Sequence, residues 1–214
     1  MKKVSFRNSD MAWDISALIL TPPDFDEAKQ YPTVISVHPF GSCKEQTSSA
    51  TYGKALAEAG YVVIAFDASF QGESGGEPRF VEDPTQRVED VSRVIDYAVT
   101  LPYVDAEKIA GIGVCGGGGY VFNAALTEKR IKAVVGITPV NIGRLFREGF
   151  SMYNPIGALE GMAAQRTAEA RGGERLVNEL LPTSLAEARD NGMTERDVYE
   201  ATEYYKTPRG QQPG

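Results

Sequence analysis

The first 140 residues alternate between short apolar runs and segments in which apolar side chains recur with helical spacing. The runs predict six strands, at residues 2–7, 12–20, 31–38, 61–66, 108–112 and 131–137. The fourth run is continuously apolar, as in a strand that is buried on both faces of a parallel sheet. Helical spacing predicts helices at residues 50–60, 90–101 and 120–126. The alternation predicts an α/β fold with a doubly wound, mostly parallel sheet.

The pattern changes after Pro139. Helical segments are predicted at residues 142–150, 155–171, 185–191 and 195–205, the last with Thr194 as its N-cap, and no strand is predicted between them. A long run without strands inside an alternating fold predicts a helical cap inserted over the strand ends, with an independent helical domain as the alternative. The predicted organisation is therefore a first part of an α/β core at 1–140, a cap at 141–206, and an exposed loop at a cut or truncated end, 207–214.

Charge and composition exclude several classes of function. The 214 residues suffice for one sizeable domain, and the formal net charge of -7 argues against nucleic acid and anionic membrane surfaces as partners. No apolar stretch approaches the roughly 20 residues of a membrane helix, and no secretory signal follows the basic N-terminus. Two cysteines do not make a disulfide framework, so we expect a reducing, cytoplasmic location.

The most informative stretch is a glycine-rich corner between the predicted strand 108–112 and the predicted helix 120–126. It reads Gly113-Val114-Cys115-Gly116-Gly117. A strand that turns directly into a helix holds its central residue in a strained, exposed conformation, and glycines two positions away leave room for the neighbouring backbone. The helix N-terminus favours thiolate over thiol. Cys115 is therefore the predicted nucleophile, and the N–H of Gly116 is a predicted oxyanion-hole donor.

Two other kinds of site also use glycine-rich stretches, a phosphate-binding loop and a dinucleotide-binding loop. A phosphate loop needs a lysine and a hydroxyl residue after its last glycine, and neither follows here. The dinucleotide pattern G-x-G-x-x-G fits Gly111, Gly113 and Gly116, but the next predicted strand ends at Thr138 and Pro139 without the acidic residue that holds a ribose. A buried structural thiol remains the alternative to the nucleophile.

A second strand end carries further candidate chemistry. The strand at 31–38 ends in His38-Pro39-Phe40, and the backbone N–H of Phe40 is the predicted second oxyanion donor. His38 is the sole histidine of the chain. We expect it to brace this turn through hydrogen bonds, and a role as catalytic base is the alternative. One histidine and two separated cysteines fall short of a zinc site, so neither a metal nor a cofactor is expected.

Over residues 12–140 the chain resembles the amino-terminal two-thirds of an α/β-hydrolase, close to the dienelactone hydrolase-like branch that carries cysteine in G-x-C-x-G. The supporting motifs are the elbow, His38-Pro39-Phe40, and Asp67 with Gly72-Glu73-Ser74. The resemblance implies an esterase, lactonase or related acyl hydrolase acting on a small ester or lactone, with Cys115 attacking the carbonyl and Phe40 and Gly116 binding the oxyanion.

In that family the catalytic acid and histidine follow later strands, whereas His38 precedes the elbow and no carboxylate follows the strand at 131–137. A sheet ending with that strand also leaves an apolar edge. We therefore expect a companion C-terminal fragment or second chain to supply the missing strands, acid and histidine. The alternatives are a catalytically inactive binding module and redox sensing by Cys115 and Cys43.

Overall fold

The computed structural model describes residues 1–8, 10–149, 154–177, 181–192 and 196–212. The chain divides into two compact units, residues 1–142 and residues 143–213. The first unit contains six strands, which are β1 (Lys2–Phe6), β2 (Ile15–Leu20), β3 (Tyr31–Val37), β4 (Val62–Phe66), β5 (Val104–Val114) and β6 (Ile131–Ile137). Its helices are α1 (Lys54–Glu58), which continues a π-helical turn at Thr47–Gly53, α2 (Pro84–Ala98) and α3 (Gly116–Thr127).

The strands form one mixed sheet in the order β1-β2-β4-β3-β5-β6. β2 runs antiparallel to both of its neighbours, β1 and β4. The other four strands, β4, β3, β5 and β6, run parallel to one another. Parallel strands need crossover helices, and α1, α2 and α3 provide them. The carboxyl ends of β3, β4, β5 and β6 therefore meet at one edge of the sheet, where ligands bind in folds of this type.

Both faces of the sheet carry an apolar core. On one face α2 and α3 pack on alternate strand residues, and the fully buried apolar residues of these two helices are Val91, Val94, Ile95, Ala98 and Val121. On the other face Ala57 of α1 packs against Leu18, Leu20 and Val63. The central strand β4 is buried along its whole length, as its continuous apolar sequence predicts. The predicted doubly wound α/β architecture is confirmed.

Several element boundaries differ from the prediction, among them those of α2 and β5. Helix α2 begins at Pro84, six residues before the predicted start, because the Asp83 side chain accepts hydrogen bonds from the backbone N–H of Thr85 (2.9 Å) and Gln86 (3.3 Å). An aspartate N-cap followed by proline at the first helical position is a strong helix start. Strand β5 extends from Val104 to Val114 and includes the polar residues before the apolar run.

The second unit is helical in the residues that the structure describes. It contains α4 (Ile142–Arg144, starting at the end of the first unit), a π-helical turn (Leu145–Gly149), α5 (Pro155–Ala170), α6 (Leu185–Asp190) and α7 (Arg196–Tyr205). Asn154 and Ser184 cap α5 and α6 with their side chains. The predicted cap at Thr194 lies outside the described residues. None of the described helices combines the length and apolar character needed to cross a membrane.

Candidate active site

Cys115 occupies the corner between β5 and α3. Its backbone angles are φ +53° and ψ −120°, a conformation that non-glycine residues rarely adopt. Backbone hydrogen bonds hold it there: Cys115 donates to Ile137 (2.9 Å), and its carbonyl accepts from Gly118 (3.0 Å) and Val140 (3.0 Å). The thiol residue is half-buried. The strand, strained corner and helix of the predicted elbow are therefore all present around Cys115.

The glycines of the predicted G-x-C-x-G motif are required by close backbone packing. A Cβ at Gly113 would lie 2.2 Å from the carbonyl oxygen of Gly117. A Cβ at Gly117 would lie 2.3 Å from the carbonyl oxygen of Val37 and 2.5 Å from that of His38. Real Cβ atoms do not approach backbone this closely, so the first turn of α3 fits against β5 and the end of β3 only with glycine at both positions.

Two more glycines of the run have a role that sequence reasoning missed. A Cβ at Gly118 would lie 2.8 Å from the Cβ of Pro139, and one at Gly119 would lie 2.1 Å from the carbonyl oxygen of Val140. The turn that follows β6 thus packs directly on the start of α3. The run of four glycines, residues 116–119, was the sequence signal for this packing, because a G-x-C-x-G elbow needs only one glycine after the cysteine, at position 117.

The two predicted oxyanion donors are neighbours. β3 and β5 pair directly, with Val37 opposite Gly113, so the turn after β3 comes beside the elbow. A Cβ built on Gly116 would lie 3.3 Å from the backbone nitrogen of Phe40. Gly116 is the first residue of α3, where the backbone N–H has no acceptor within its own helix. The backbone of both predicted donors therefore lies next to Cys115.

His38 is fully buried, and both of its ring nitrogens are engaged. Nδ1 lies 2.7 Å from the carbonyl oxygen of Pro39, and Nε2 accepts from the backbone N–H of Ala68 (3.1 Å). These contacts fit a neutral ring protonated on Nδ1. Burial and the neighbouring guanidinium of Arg87 hold the pKa of His38 well below its usual value. The geometry fits a bracing role, because the lone pair that a base would use is already occupied.

Arg87 contacts both the ring and the backbone carbonyl of His38, and the sequence analysis did not predict it. Its Nη2 donates to the carbonyl oxygen of His38 (2.6 Å), and its Nη1 lies 2.8 Å from the Nε2 atom of His38. Glu82 approaches the guanidinium at 3.2 Å, and the ring of Tyr120 lies 4.9 Å from the guanidinium carbon. Arg87 stands in the first turn of α2, so recognition of the Asp83 cap was the signal that leads to it.

A second buried cation holds the far end of the turn after β3. The Nζ atom of Lys44 lies within 2.6–2.7 Å of carboxylate oxygens of Asp67, Glu73 and Glu45. Burial alone lowers the pKa of Lys44, but the hydrogen bonds to these carboxylates outweigh it and raise the pKa. Asp67 also accepts from the backbone N–H of Lys44 (2.7 Å). The turns that follow β3 and β4 are thereby joined.

The same region gathers one group of possible metal ligands. Ligand atoms of Cys43, Glu45 and Asp67 lie within 4.8 Å of one another. The ammonium of Lys44 already supplies a positive charge to the two carboxylates, so the group has an internal counter-ion. Burial, with the nearby charges of Asp67 and Glu45, raises the pKa of Cys43 to about 12. Cys43 is therefore a protonated thiol at neutral pH, which argues against a redox partnership with Cys115.

Known proteins resemble this chain over nearly its whole length. The uncharacterized protein YcjY of Escherichia coli K12 is 46% identical over 99% of the chain, which covers 69% of that protein. Protein PA2218 of Pseudomonas aeruginosa is 39% identical over 85% of the chain, which covers 48% of that protein. The thiohydrolase AneE of Aspergillus aculeatus is 27% identical over 82% of the chain and 56% of its own length.

The solved crystal structure of PA2218 superposes with a TM-score of 0.84 at 34% identity, covering 99% of this chain and 64% of that one. The profile of the X-Pro dipeptidyl-peptidase (S15) family matches residues 13–208. The dienelactone hydrolase-like branch stays a prediction, since it is a different group from the one matched. The match over residues 13–208 shows that the chain belongs to the X-Pro dipeptidyl-peptidase (S15) family, and its strand order, with an elbow at the carboxyl end of β5, is that of the α/β-hydrolase superfamily.

Proposed function

We propose that this chain carries the nucleophile and the oxyanion hole of a thiol-dependent acyl hydrolase that acts on small esters or lactones. The observation that carries the proposal is the position of Cys115, on a strained elbow beside the backbone of Phe40 and Gly116. A nucleophile and two backbone donors at one point are the minimal equipment for acyl transfer. The relationship to AneE, whose name describes a thiohydrolase, supports acyl chemistry.

In the proposed reaction the Cys115 thiolate attacks the substrate carbonyl carbon and forms a C–S bond. The carbonyl oxygen becomes an oxyanion, which accepts hydrogen bonds from the N–H groups of Phe40 and Gly116. The C–O bond to the alcohol then breaks, the alcohol oxygen takes up the proton that the Cys115 thiol released on ionisation, and an acyl-thioester remains on Cys115. Water hydrolyses this thioester, which releases the carboxylic acid and restores the thiol. Each backbone donor is worth roughly 100- to 1,000-fold in rate.

We further propose that a C-terminal segment or companion chain completes the site with a catalytic acid and histidine. Among the described strands β6 is paired on one side only, and Val135 on it is 53% exposed. The relatives that match this chain are longer than the matched region. A reducing, cytoplasmic compartment suits this arrangement, because it keeps a half-buried catalytic thiol reduced.

The test is p-nitrophenyl acetate hydrolysis by the wild type, Cys115→Ala and Cys43→Ala, with the intact mass of every polypeptide in the sample recorded. We expect release of p-nitrophenol and an acetyl adduct on Cys115. The adduct should be absent from Cys115→Ala and retained in Cys43→Ala, because the pKa of Cys43 is about 12. Turnover beyond the first equivalent is expected only with the companion segment present.

The same experiment decides the alternative, a catalytically inactive binding module. That function predicts neither an adduct nor a burst of p-nitrophenol from any of the three proteins. Equal acetylation of wild type and Cys115→Ala would show that the elbow thiol is not the nucleophile.

A further inference from the structure

The segment from His38 to Lys44 holds the proposed oxyanion donor Phe40, and it is anchored at both ends. At the far end Lys44 is bound to Asp67 through both its backbone N–H and its ammonium. At the near end His38 is fixed by three groups. These are the carbonyl of Pro39, the backbone N–H of Ala68 and the guanidinium of Arg87.

Arg87 differs from the other two anchors of His38, because it binds the backbone as well as the ring. Its Nη2 donates to the His38 carbonyl oxygen at 2.6 Å. That carbonyl oxygen also lies 2.5 Å from where a Cβ of Gly117 would stand, so it is packed on the first turn of α3. The carbonyl is therefore held between an arginine of α2 and the helix that begins at the elbow.

The guanidinium is itself fixed from behind. Arg87 is 2% exposed, Glu82 lies 3.2 Å from its Nε, and the ring of Tyr120 in α3 covers it at 4.9 Å. Glu82 in turn accepts from Gln71 in the turn after β4 (2.5 Å). A buried ion pair of this kind restrains both side chains, since removing one partner leaves a buried charge without its counter-ion.

We infer that Arg87 is a positioning residue for the oxyanion hole: by holding the His38 backbone and ring, it fixes the direction of the Phe40 N–H relative to that of Gly116. The expected effect on the acylation rate rests on the proposed function of Cys115. The expected effect on the positions of His38 and Phe40 rests only on the contacts of His38. Arg87 acts through His38 and Phe40 and makes no contact with substrate in this mechanism.

The experiment compares Arg87→Met with the wild type by three readouts. The first is single-turnover acylation of Cys115 by p-nitrophenyl acetate, which develops an oxyanion. The second is alkylation of Cys115 by iodoacetamide, which develops none. The third is ¹⁵N NMR of His38 and of the Phe40 amide, and the ring signal is unambiguous because the chain has one histidine.

We expect acylation to slow by about 100-fold, the loss typical of a misplacement of about 1 Å, while alkylation keeps its wild-type rate. The His38 ring and Phe40 amide signals should move. Arg87→Lys should lie between the two proteins, because an ammonium cannot bond the carbonyl and the ring as the planar guanidinium does. If Arg87→Met fails to fold by circular dichroism, Arg87→Lys carries the same three readouts.

Arg93→Met is the matched control. It removes another arginine of α2, 15% exposed and paired with Asp10 at 2.9 Å, and should change none of the three readouts. The inference is overturned if Arg87→Met acylates like Arg93→Met, or if the His38 and Phe40 signals stay in place. If the wild type is not acylated at all, the proposed function fails. Displaced Phe40 and His38 signals in Arg87→Met would then still show that Arg87 holds the turn after β3 in place.

Discussion

At the scale of single residues, the site is defined by two side chains that sequence position alone assigns ambiguously. His38 stands at a strand end near the proposed nucleophile, where a base or a brace could each be placed, and its ring contacts favour a brace. The strained backbone conformation of Cys115 costs free energy. A merely structural thiol does not need this conformation, whereas a nucleophile on an elbow does. The strained backbone of Cys115 and the hydrogen bonds of the His38 ring are therefore the observations that support the two proposed roles.

The neutral, buried state of His38 predicts a specific pH dependence of stability. Its native pKa is lowered well below 6.5, so below that pH the unfolded chain binds a proton that the native chain does not. The free energy of unfolding therefore decreases as the pH falls below about 6.5, by about 1.4 kcal/mol per pH unit from this group alone.

The measurement is urea unfolding of wild type and His38→Asn between about pH 7 and pH 5. We expect the variant to be less stable at pH 7 but to lose less stability on acidification, because it lacks this proton. Parallel pH dependence in the two proteins would contradict a neutral native His38.

At the scale of elements, the glycine-rich corner is the joint that brings β3, β5, β6 and α3 together. Gly117→Ala should therefore be strongly destabilising, by about 3 kcal/mol or more, since its Cβ would meet two backbone carbonyl oxygens at 2.3 and 2.5 Å. Gly161→Ala, in α5, is the control: no atom lies within 4 Å of its Cβ, and a helix interior favours alanine by roughly 0.5–1 kcal/mol. Thermal unfolding of both variants checks this, and equal melting temperatures would refute the packing account.

The Lys44 cluster joins the turns after β3 and β4. Lys44→Met should destabilise by about 3–5 kcal/mol, because it leaves the carboxylate of Asp67 buried without a counter-ion. The double variant Lys44→Met, Asp67→Asn should recover part of the loss. Lys29→Met, which removes an exposed pair with Asp26 at 3.8 Å, should have little effect. Urea unfolding of the four proteins checks this, and a double variant less stable than Lys44→Met would contradict it.

The sequence predicted the strands well because β4 and its neighbours are buried on both faces, which demands continuous apolar runs. The elbow was predictable because the close contact between Gly113 and Gly117 joins residues that are near each other in the sequence. The start of α2 was missed because the prediction followed the apolar stripe, which begins at Val91, and not the polar cap at Asp83. Arg87 and Lys44 were missed because their partners lie 49 and 23 residues away, and only the folded sheet brings such residues together.

At the scale of the whole molecule, one part of the first unit has the properties of a surface that another segment covers. β6 is the last described strand of the sheet, and α3 packs on one of its faces. On the other face Ala133 and Val135 are exposed while Ile137 is partly buried. An exposed apolar strand with an unpaired edge is a template for association with another strand. This is the physical reason to expect the proposed C-terminal segment at β6.

The exposure of β6 predicts opposite effects of one substitution in two contexts. In the 214-residue chain, Val135→Lys should raise the monomeric fraction in sedimentation velocity, because a charge on an exposed edge strand opposes pairing between copies. With the companion segment bound, the same lysine would lie under added structure and should weaken its binding. Val99→Lys, which charges a 37% exposed valine at the end of α2, is the matched control and should do neither. The Val135→Lys chain could instead associate as the wild type does and bind the companion segment as tightly. That result would mean that neither a second copy of the chain nor the companion segment covers this face of β6.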